Sequence, residues 1–163
     1  MPDGVNPKLS RELLGLAGEY AVASELCRRK LYAQLTMGNH KQTDILVETE
    51  TVMMRIQVKA KQSTEWPAIS GLYRAEDFLI LVDFAGKSSA ERPDFYVLNL
   101  DDWKALIIEE QGYKPHINVD VKNRISYPDG WRGLNLKTAR VMQFKEGWTK
   151  LHTYLKSEDT SPA

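Results

Sequence analysis

Apolar residues recur at helical spacing in the first part of the chain. They follow Ser10 over about five turns and predict a helix with Ser10 as its N-cap. The apolar positions surround nearly the whole circumference, so we expect this helix to be well buried. Arg28, Arg29 and Lys30 suit its carboxyl end, where cations complement the helix dipole.

Extended segments follow this helix. Residues 31–36 predict a short strand, and residues 43–48 and 52–60 predict two strands joined by a tight hairpin. The continuous apolar run 78–82 is typical of a strand covered on both faces, and residues 95–98 predict another strand.

The last third of the chain predicts mainly helix. Asp101 or Asp102 would cap a helix that ends near Gly112, and residues 144–155 predict a closing helix. Residues 113–136 have no clear periodicity. The order of elements is a helix, three strands, a variable segment, two strands and helices, which predicts a mixed α/β sandwich around one sheet.

Length and composition fit one folded domain spanning residues 1–163. The chain has 163 residues, of which 42% are hydrophobic and 27% charged. We expect loose ends at about 1–8 and 157–163. No apolar stretch is long enough for a membrane helix, and no signal-peptide region begins the sequence, so we expect a cytoplasmic protein. The single cysteine, Cys27, excludes a disulfide within the chain and a multi-cysteine zinc site.

Charge is balanced in total and uneven along the chain. Lys and Arg number 22, as do Asp and Glu, so net charge gives no support for nucleic-acid binding. Residues 26–43 and 52–64 nevertheless contain cations and no acid, and residues 121–156 contain eight cations against two acids. This segregation indicates either a face that binds a polyanion or solvated surface charge that averages out.

The predicted hairpin assembles a polar cluster. With Glu50-Thr51 as its loop, Asp44 lies opposite Gln57, and Lys59 lies one position further along the same face. The other face carries only apolar residues, namely Ile45, Val47, Met54 and Ile56. A slip of one residue would destroy both faces, so one register specifies the core and the cluster together.

A glutamate in the first helix has apolar neighbours. Its helical neighbours are Gly15, Leu16, Val22, Ala23 and Leu26. An ionised carboxylate in this setting is costly without a partner. Glu19 therefore needs a cation, and either a lysine or a bound metal would serve.

These residues together resemble the PD-(D/E)XK nuclease superfamily. The match consists of Gly18-Glu19-Tyr20, of Thr43-Asp44 and of Gln57-Val58-Lys59, and it covers roughly residues 10–62. It looks closest to the branch that contains Holliday junction resolvases and restriction-endonuclease-like proteins. The resemblance implies a restriction-endonuclease-like α/β core, a mixed central sheet flanked by helices in the order αβββαβ.

The resemblance also implies a metal-dependent endonuclease that cleaves DNA. Mg²⁺ or Mn²⁺ would be held by Asp44, Gln57 and Glu19 with the Val58 carbonyl, and Lys59 would orient or activate the attacking water. Carboxylate and amide oxygens suit magnesium, and such an ion activates water and stabilises charge on the phosphate. Two departures from the family pattern are that Gln57 replaces an acid, which lowers the expected metal affinity, and that threonine precedes Asp44 where the family has proline.

Further side chains flank the predicted site. Lys41, Lys61, Gln62 and Arg74 are candidates for contacts with DNA phosphates, with solvated loop positions as the alternative. The expected partner is duplex or branched DNA, and RNA stays open. Cutting both strands of a duplex would suit a homodimer with two-fold symmetry.

Other interpretations remain at this stage. Asp44 could be a strand-start residue that binds backbone amides, and Glu19 could form a structural ion pair with Lys59. The chain would then be a catalytically inactive nuclease-like module that binds nucleic acid or regulates another protein. A third possibility is a nuclease that acts only within a larger defence or repair assembly.

Overall fold

A computed structural model describes residues 7–37 and 43–160. Helices in this part of the chain are α1 (Arg11–Arg28), α2 (Leu100–Tyr113), α3 (Thr138–Val141), a 3₁₀ turn (Met142–Phe144) and α4 (Thr149–Asp159). Strands are β1 (Ala33–Leu35), β2 (Ile45–Glu48), β3 (Met53–Lys61), β4 (Glu65–Ile69), β5 (Asp77–Asp83), β6 (Asp94–Leu98), β7 (Asn118–Val119), β8 (Ile125–Ser126) and β9 (Leu134–Lys137).

The central sheet is mixed and has the strand order β1-β2-β3-β5-β6. Only the β3–β5 pairing is parallel within this sheet; its other pairings are antiparallel. Two-stranded sheets β4–β9 and β7–β8 accompany it. The predicted class, a mixed α/β fold with a central sheet flanked by helices, is confirmed. The crossover from β3 to β5 contains strand β4, however, where the αβββαβ order would place a helix.

The predicted hairpin register is confirmed for residues 45–48 against residues 53–56, and the predicted Asp44–Gln57 pair lies just beyond this ladder. Ile45 pairs with Ile56, Val47 with Met54, and Glu48 with Met53. All four predicted apolar residues, Ile45, Val47, Met54 and Ile56, are fully buried in one core cluster. The tight turn closes between Thr49 and Val52, where the Thr49 N–H donates to the Val52 carbonyl at 2.8 Å.

Two apolar cores lie on opposite faces of the sheet, and β5 contributes to both. Phe78, Ile80 and Val82 belong to the core that includes residues of α1 and α4, and Leu79 and Leu81 to the core that includes residues of α2, β4 and β9. Alternation of side chains along an extended strand gives this division, as the continuous apolar run predicted.

Helix α1 begins at the predicted cap but is not buried all round. The Ser10 Oγ accepts a hydrogen bond from the Leu13 N–H at 3.2 Å. Leu13, Leu16 and Tyr20 are 56%, 41% and 62% exposed. The prediction of a well-buried helix was wrong because α1 packs on the central sheet by one face only.

The C-terminal helices differ from the prediction in their ends. The cap of α2 is Asn99, whose side chain accepts from the Asp102 N–H at 2.9 Å, while the Asp102 carboxylate accepts from the Asn99 N–H at 3.0 Å. Gly112 lies inside α2 and does not cap it. The closing helix starts at Thr149 because Glu146 has a positive φ of 53°, which interrupts helical backbone. It continues to Asp159, so residues 157–159 are helical although a loose end was predicted there.

Among the described helices, none combines the length and the apolar character needed to span a bilayer.

Candidate active site

The site predicted from the sequence lies at the edge of β3 that β2 leaves open. β2 pairs with residues 53–56, so within the described residues the strand partner of residues 57–61 of β3 lies on the β5 side alone. Asp44 stands where β2 ends. Its N–H donates to the Ile56 carbonyl at 2.9 Å, and its carboxylate Oδ2 accepts from the Val58 N–H at 2.7 Å.

This second hydrogen bond fixes the aspartate. The Val58 N–H would bind a backbone carbonyl if β2 continued, and here it binds the Asp44 carboxylate instead. The carboxylate is therefore held against the open edge of β3. Within an antiparallel ladder, the N–H and C=O of one residue point toward the same neighbouring strand. The Val58 carbonyl oxygen therefore points toward the same side as its N–H, that is, toward Asp44. The bond agrees with the interpretation of Asp44 as a strand-start residue and leaves Oδ1 without a hydrogen bond among the described residues.

Gln57 and Lys59 lie on the face of β3 opposite the apolar residues. Gln57 is only 6% exposed, and Lys59 is half-buried. Within the described ranges, the Lys59 ammonium has no carboxylate within 4.0 Å. A lysine that is partly desolvated without an acidic partner is available to interact with another anion.

Helix α1 brings Glu19 to this edge. Gly18 permits the close approach, since a Cβ at that position would lie 2.9 Å from the Ala60 Cβ. Burial raises the pKa of Glu19, the negative charge of Asp44 raises it further, and Lys59 opposes both. The three charged groups therefore act on one another. We call Glu19, Asp44, Gln57 and Lys59 the edge site.

The sequence left open two structural roles, a backbone hydrogen bond for Asp44 and an ion pair between Glu19 and Lys59, and the structure contains only the first among its described residues. The Asp44 bond to a backbone amide is present. A Glu19–Lys59 ion pair is not found within 4.0 Å among the described residues, so Glu19 lacks the partner that this interpretation assigned to it.

The donor atoms of the edge site fit a divalent cation of the magnesium type. Asp44 and Glu19 offer carboxylate oxygens, and Gln57 offers an amide oxygen, all of them hard ligands. The described residues contain no group of three acidic, histidine or cysteine side chains that could hold a metal. A third side-chain oxygen would therefore have to come from Gln57.

One predicted phosphate contact was wrong. Lys61 is 4% exposed, and its Nζ lies 2.6 Å from the Asp83 Oδ2 and donates to the Ser63 carbonyl at 3.1 Å. Its ammonium also lies 4.6 Å from the centre of the Trp66 ring. This cation is already neutralised and enclosed, so it has no access to a DNA backbone.

The remaining predicted contacts have different environments. The Gln62 Oε1 accepts from the Leu9 N–H at 2.9 Å, so this side chain holds the segment that leads into α1. Arg74 is exposed in the turn before β5. Lys41 lies outside the described residues.

Sequence reasoning did not find a cleft beside the edge site. It has a volume of about 250 Å³, and its lining includes Thr43, Arg55, Tyr73, Arg74, Lys122 and Arg124. We call it the basic cleft. The excess of cations in residues 121–156 was its one signal, but nothing in the sequence placed that segment beside Asp44.

Comparison with solved structures finds similarity to a bacterial homing endonuclease, I-Ssp6803I. The TM-score is 0.57 with 15% sequence identity, and the match covers 94% of this chain and 100% of that chain. Similarity at this level of identity shows a shared mixed α/β fold. No protein-family model matches the sequence. No curated protein matches it either.

Proposed function

We propose that the protein is a metal-dependent endonuclease of the PD-(D/E)XK kind that cleaves phosphodiester bonds in DNA. The observation that carries this proposal is the Asp44 carboxylate held by the Val58 N–H, beside a half-buried Lys59 that has no acidic partner within the described residues. A structural neighbour that is itself an endonuclease supports the same reaction class.

The oxygens of Asp44, Gln57 and Glu19, with the Val58 carbonyl, would hold the cation. When bound, Mg²⁺ would neutralise charge on the phosphate and make water a stronger nucleophile at neutral pH. The raised pKa of Glu19 has a simple role in this proposal, because a cation would relieve the repulsion between Glu19 and Asp44.

Lys59 has the second role. Its ammonium would donate a hydrogen bond to the attacking water or to a phosphate oxygen, and would complement negative charge that develops in the transition state. The water oxygen would form a bond to phosphorus and release a proton to solvent, the bond from phosphorus to one bridging sugar oxygen would break, and the departing oxygen would take up a proton from solvent. A positive charge fixed on a strand acts without reorganisation at that moment.

The rival function is a nucleic-acid-binding or regulatory module without turnover. It is favoured by Gln57, whose amide is neutral where the family pattern has an acid, and by the use of one Asp44 oxygen in a structural hydrogen bond. Both features lower the expected metal affinity and leave the fold intact.

A plasmid assay separates the two functions. We expect the purified protein to nick supercoiled DNA with Mg²⁺ or Mn²⁺ and to be inactive in EDTA. Lys59→Ala should lose activity by about 100-fold or more, as expected for removal of a group that stabilises the transition state. The matched control is Lys104→Ala, because Lys104 is an exposed lysine on α2.

The proposal fails if wild type and Lys59→Ala are equally inactive while both still bind DNA, and the module is then the better description. Activity that appears only with an added protein would instead indicate a nuclease within an assembly. Gel filtration with light scattering tests the homodimer that cleavage of both strands would suit.

A further inference from the structure

The basic cleft has two walls of different origin. One wall is the segment 70–74 before β5, and the other is the tip of the β7–β8 hairpin, which carries Lys122 and Arg124. Both walls lie outside the elements that form the edge site.

The hairpin tip is held by three hydrogen bonds to one side chain. The Asp120 carboxylate accepts hydrogen bonds from the Lys122 N–H at 2.8 Å, from the Arg124 N–H at 3.0 Å and from the Arg124 Nε at 2.7 Å. One side chain thus fixes the turn and neutralises Arg124, so Lys122 projects from a preorganised loop.

The two walls are joined to each other. Asn123 donates from Nδ2 to the Leu72 carbonyl at 3.2 Å, and its own carbonyl accepts from the Trp103 Nε1 at 2.9 Å. Gly71 has a φ of +89° and lies against the Trp103 ring, where a Cβ would come within 2.0 Å. These contacts tie the two walls of the cleft together without a ligand.

Two of its cations are uncompensated. Arg55 pairs with Glu76 at 3.1 Å, and Arg124 pairs with Asp120. The Arg74 guanidinium and the Lys122 ammonium form no ion pair within 4.0 Å among the described residues, and each lies 6.0 Å from the centre of the Tyr73 ring. Asp77 also lines the cleft, and its Oδ1 lies 4.0 Å from the Arg55 Nη1. Four cations against this one acid, beside the exposed Tyr73 ring, give the lining a net positive, polar surface suited to a phosphodiester.

The cleft is continuous with the edge site. Thr43, which lines it, directly precedes Asp44. Arg55, Gln57 and Lys59 follow one another on the same face of β3, at about 7 Å for each step of two residues. If a DNA strand binds at the edge site, one of its neighbouring phosphates would therefore lie at the opening of the cleft.

We infer that the basic cleft binds a backbone phosphate that flanks the scissile one, through Arg74 and Lys122. This inference rests on the proposed function for its choice of ligand. It adds a second, sequence-independent contact that sets how the DNA lies across the edge site.

The test measures binding without cleavage. Fluorescence anisotropy with a short labelled DNA duplex in EDTA gives the affinity of the full-length protein as a function of salt concentration. Each lost phosphate contact should reduce the slope of log K against log salt by about 0.9. We expect this reduction in Arg74→Gln and in Lys122→Gln, and a larger loss of affinity in Lys122→Glu.

Lys104→Gln is the matched control, since it removes one positive charge outside the cleft. Slopes in Arg74→Gln and Lys122→Gln that equal the wild-type slope, or that fall no more than in the control, would overturn the inference and leave the proposed cleavage untouched. If both variants show reduced slopes but the wild-type protein does not cut DNA in the plasmid assay, the inference about the cleft is supported and the proposed nuclease activity is contradicted. Absence of any wild-type binding would overturn both.

Discussion

Two of the three glutamates of helix α1, Glu19 and Glu25, lie six residues apart and have opposite surroundings. Glu25 is 5% exposed and lies in what we call the ion-pair cluster, formed with Arg29, Arg92 and Glu146. Both Glu25 oxygens accept from Arg92, at 3.0 Å each. Hydrogen bonds from Arg92 are the largest cause that lowers the pKa of Glu25 to about 2, and burial opposes them.

The edge site contains the same kinds of group without this compensation. Burial is the largest cause that raises the pKa of Glu19, its nearest charged neighbours include another acid, and Lys59 does not come within 4.0 Å in the described part of the chain. One helix thus contributes to a cluster in which the buried carboxylate is fully paired and to the edge site, in which it is not. The unpaired negative charge of Glu19 and Asp44 is the feature on which the proposed cation site rests.

Asp44→Asn should produce the largest effect. The amide oxygen can still accept from the Val58 N–H, so the fold should persist, while the negative charge needed to bind the cation is lost. We expect cleavage to fall by about 1,000-fold, or about 4 kcal/mol, in the plasmid assay. Calorimetric titration with Mn²⁺ should show weaker binding.

Glu48→Gln is the control for this substitution, because Glu48 is exposed at the other end of β2. Wild-type cleavage in Asp44→Asn would show that the edge site takes no part in the reaction.

Glu25→Gln should instead affect the fold. A neutral amide leaves Arg92 and Arg29 without their buried anion, and we expect a loss of about 3 kcal/mol in the free energy of unfolding. Urea denaturation measures this. Glu12→Gln, in the exposed first turn of the same helix, should cost less than about 0.5 kcal/mol. Equal, small losses in both variants would remove the contrast between the two regions.

Lowering the pH should remove the stabilisation that the ion-pair cluster gives the wild-type protein. The pKa of Glu25 is lowered from 4.5 to about 2 in the folded state, so its contribution is fully present above pH 4.5 and is lost as the pH falls toward 2. Solvent weakens this interaction because Arg92 is 43% exposed, so we expect the contribution of Glu25 to the free energy of unfolding to be about 2 kcal/mol. The measurement is the free energy of unfolding as a function of pH for wild type and for Glu25→Gln. The difference between the two curves gives the contribution of Glu25, and parallel curves would contradict the prediction.

The hairpin beneath the edge site could be predicted because its determinants are local. The β2–β3 register follows from a short turn and an alternating apolar pattern, and it ends at Ile45–Ile56, next to Asp44 and Gln57. The position of Glu19 required only that α1 pack on this hairpin.

Long-range pairings explain what the sequence did not predict. Lys59 and Lys61 are equivalent in the strand pattern, but the parallel register places Asp83 beside Lys61, 22 residues away in the chain. Strands β4 and β9 pair across an even larger separation, with Trp66 opposite Leu136. No local signal identifies such partners, so the buried lysine and the basic cleft became evident only in the folded chain.

Glu19→Gln gives the smallest and most selective effect. Substitution of a neutral amide removes both the cost of burying the charge and the repulsion from Asp44, while it gives up some attraction to Lys59. We expect the free energy of unfolding to stay constant or rise by about 0.5 kcal/mol, opposite in sign to the change in Glu25→Gln. Urea denaturation without metal measures this, and Mn²⁺ titration of the same variant should show reduced affinity. A destabilisation as large as that of Glu25→Gln would mean that Glu19 is a structural ion-pair partner, and the two regions would then differ only in degree.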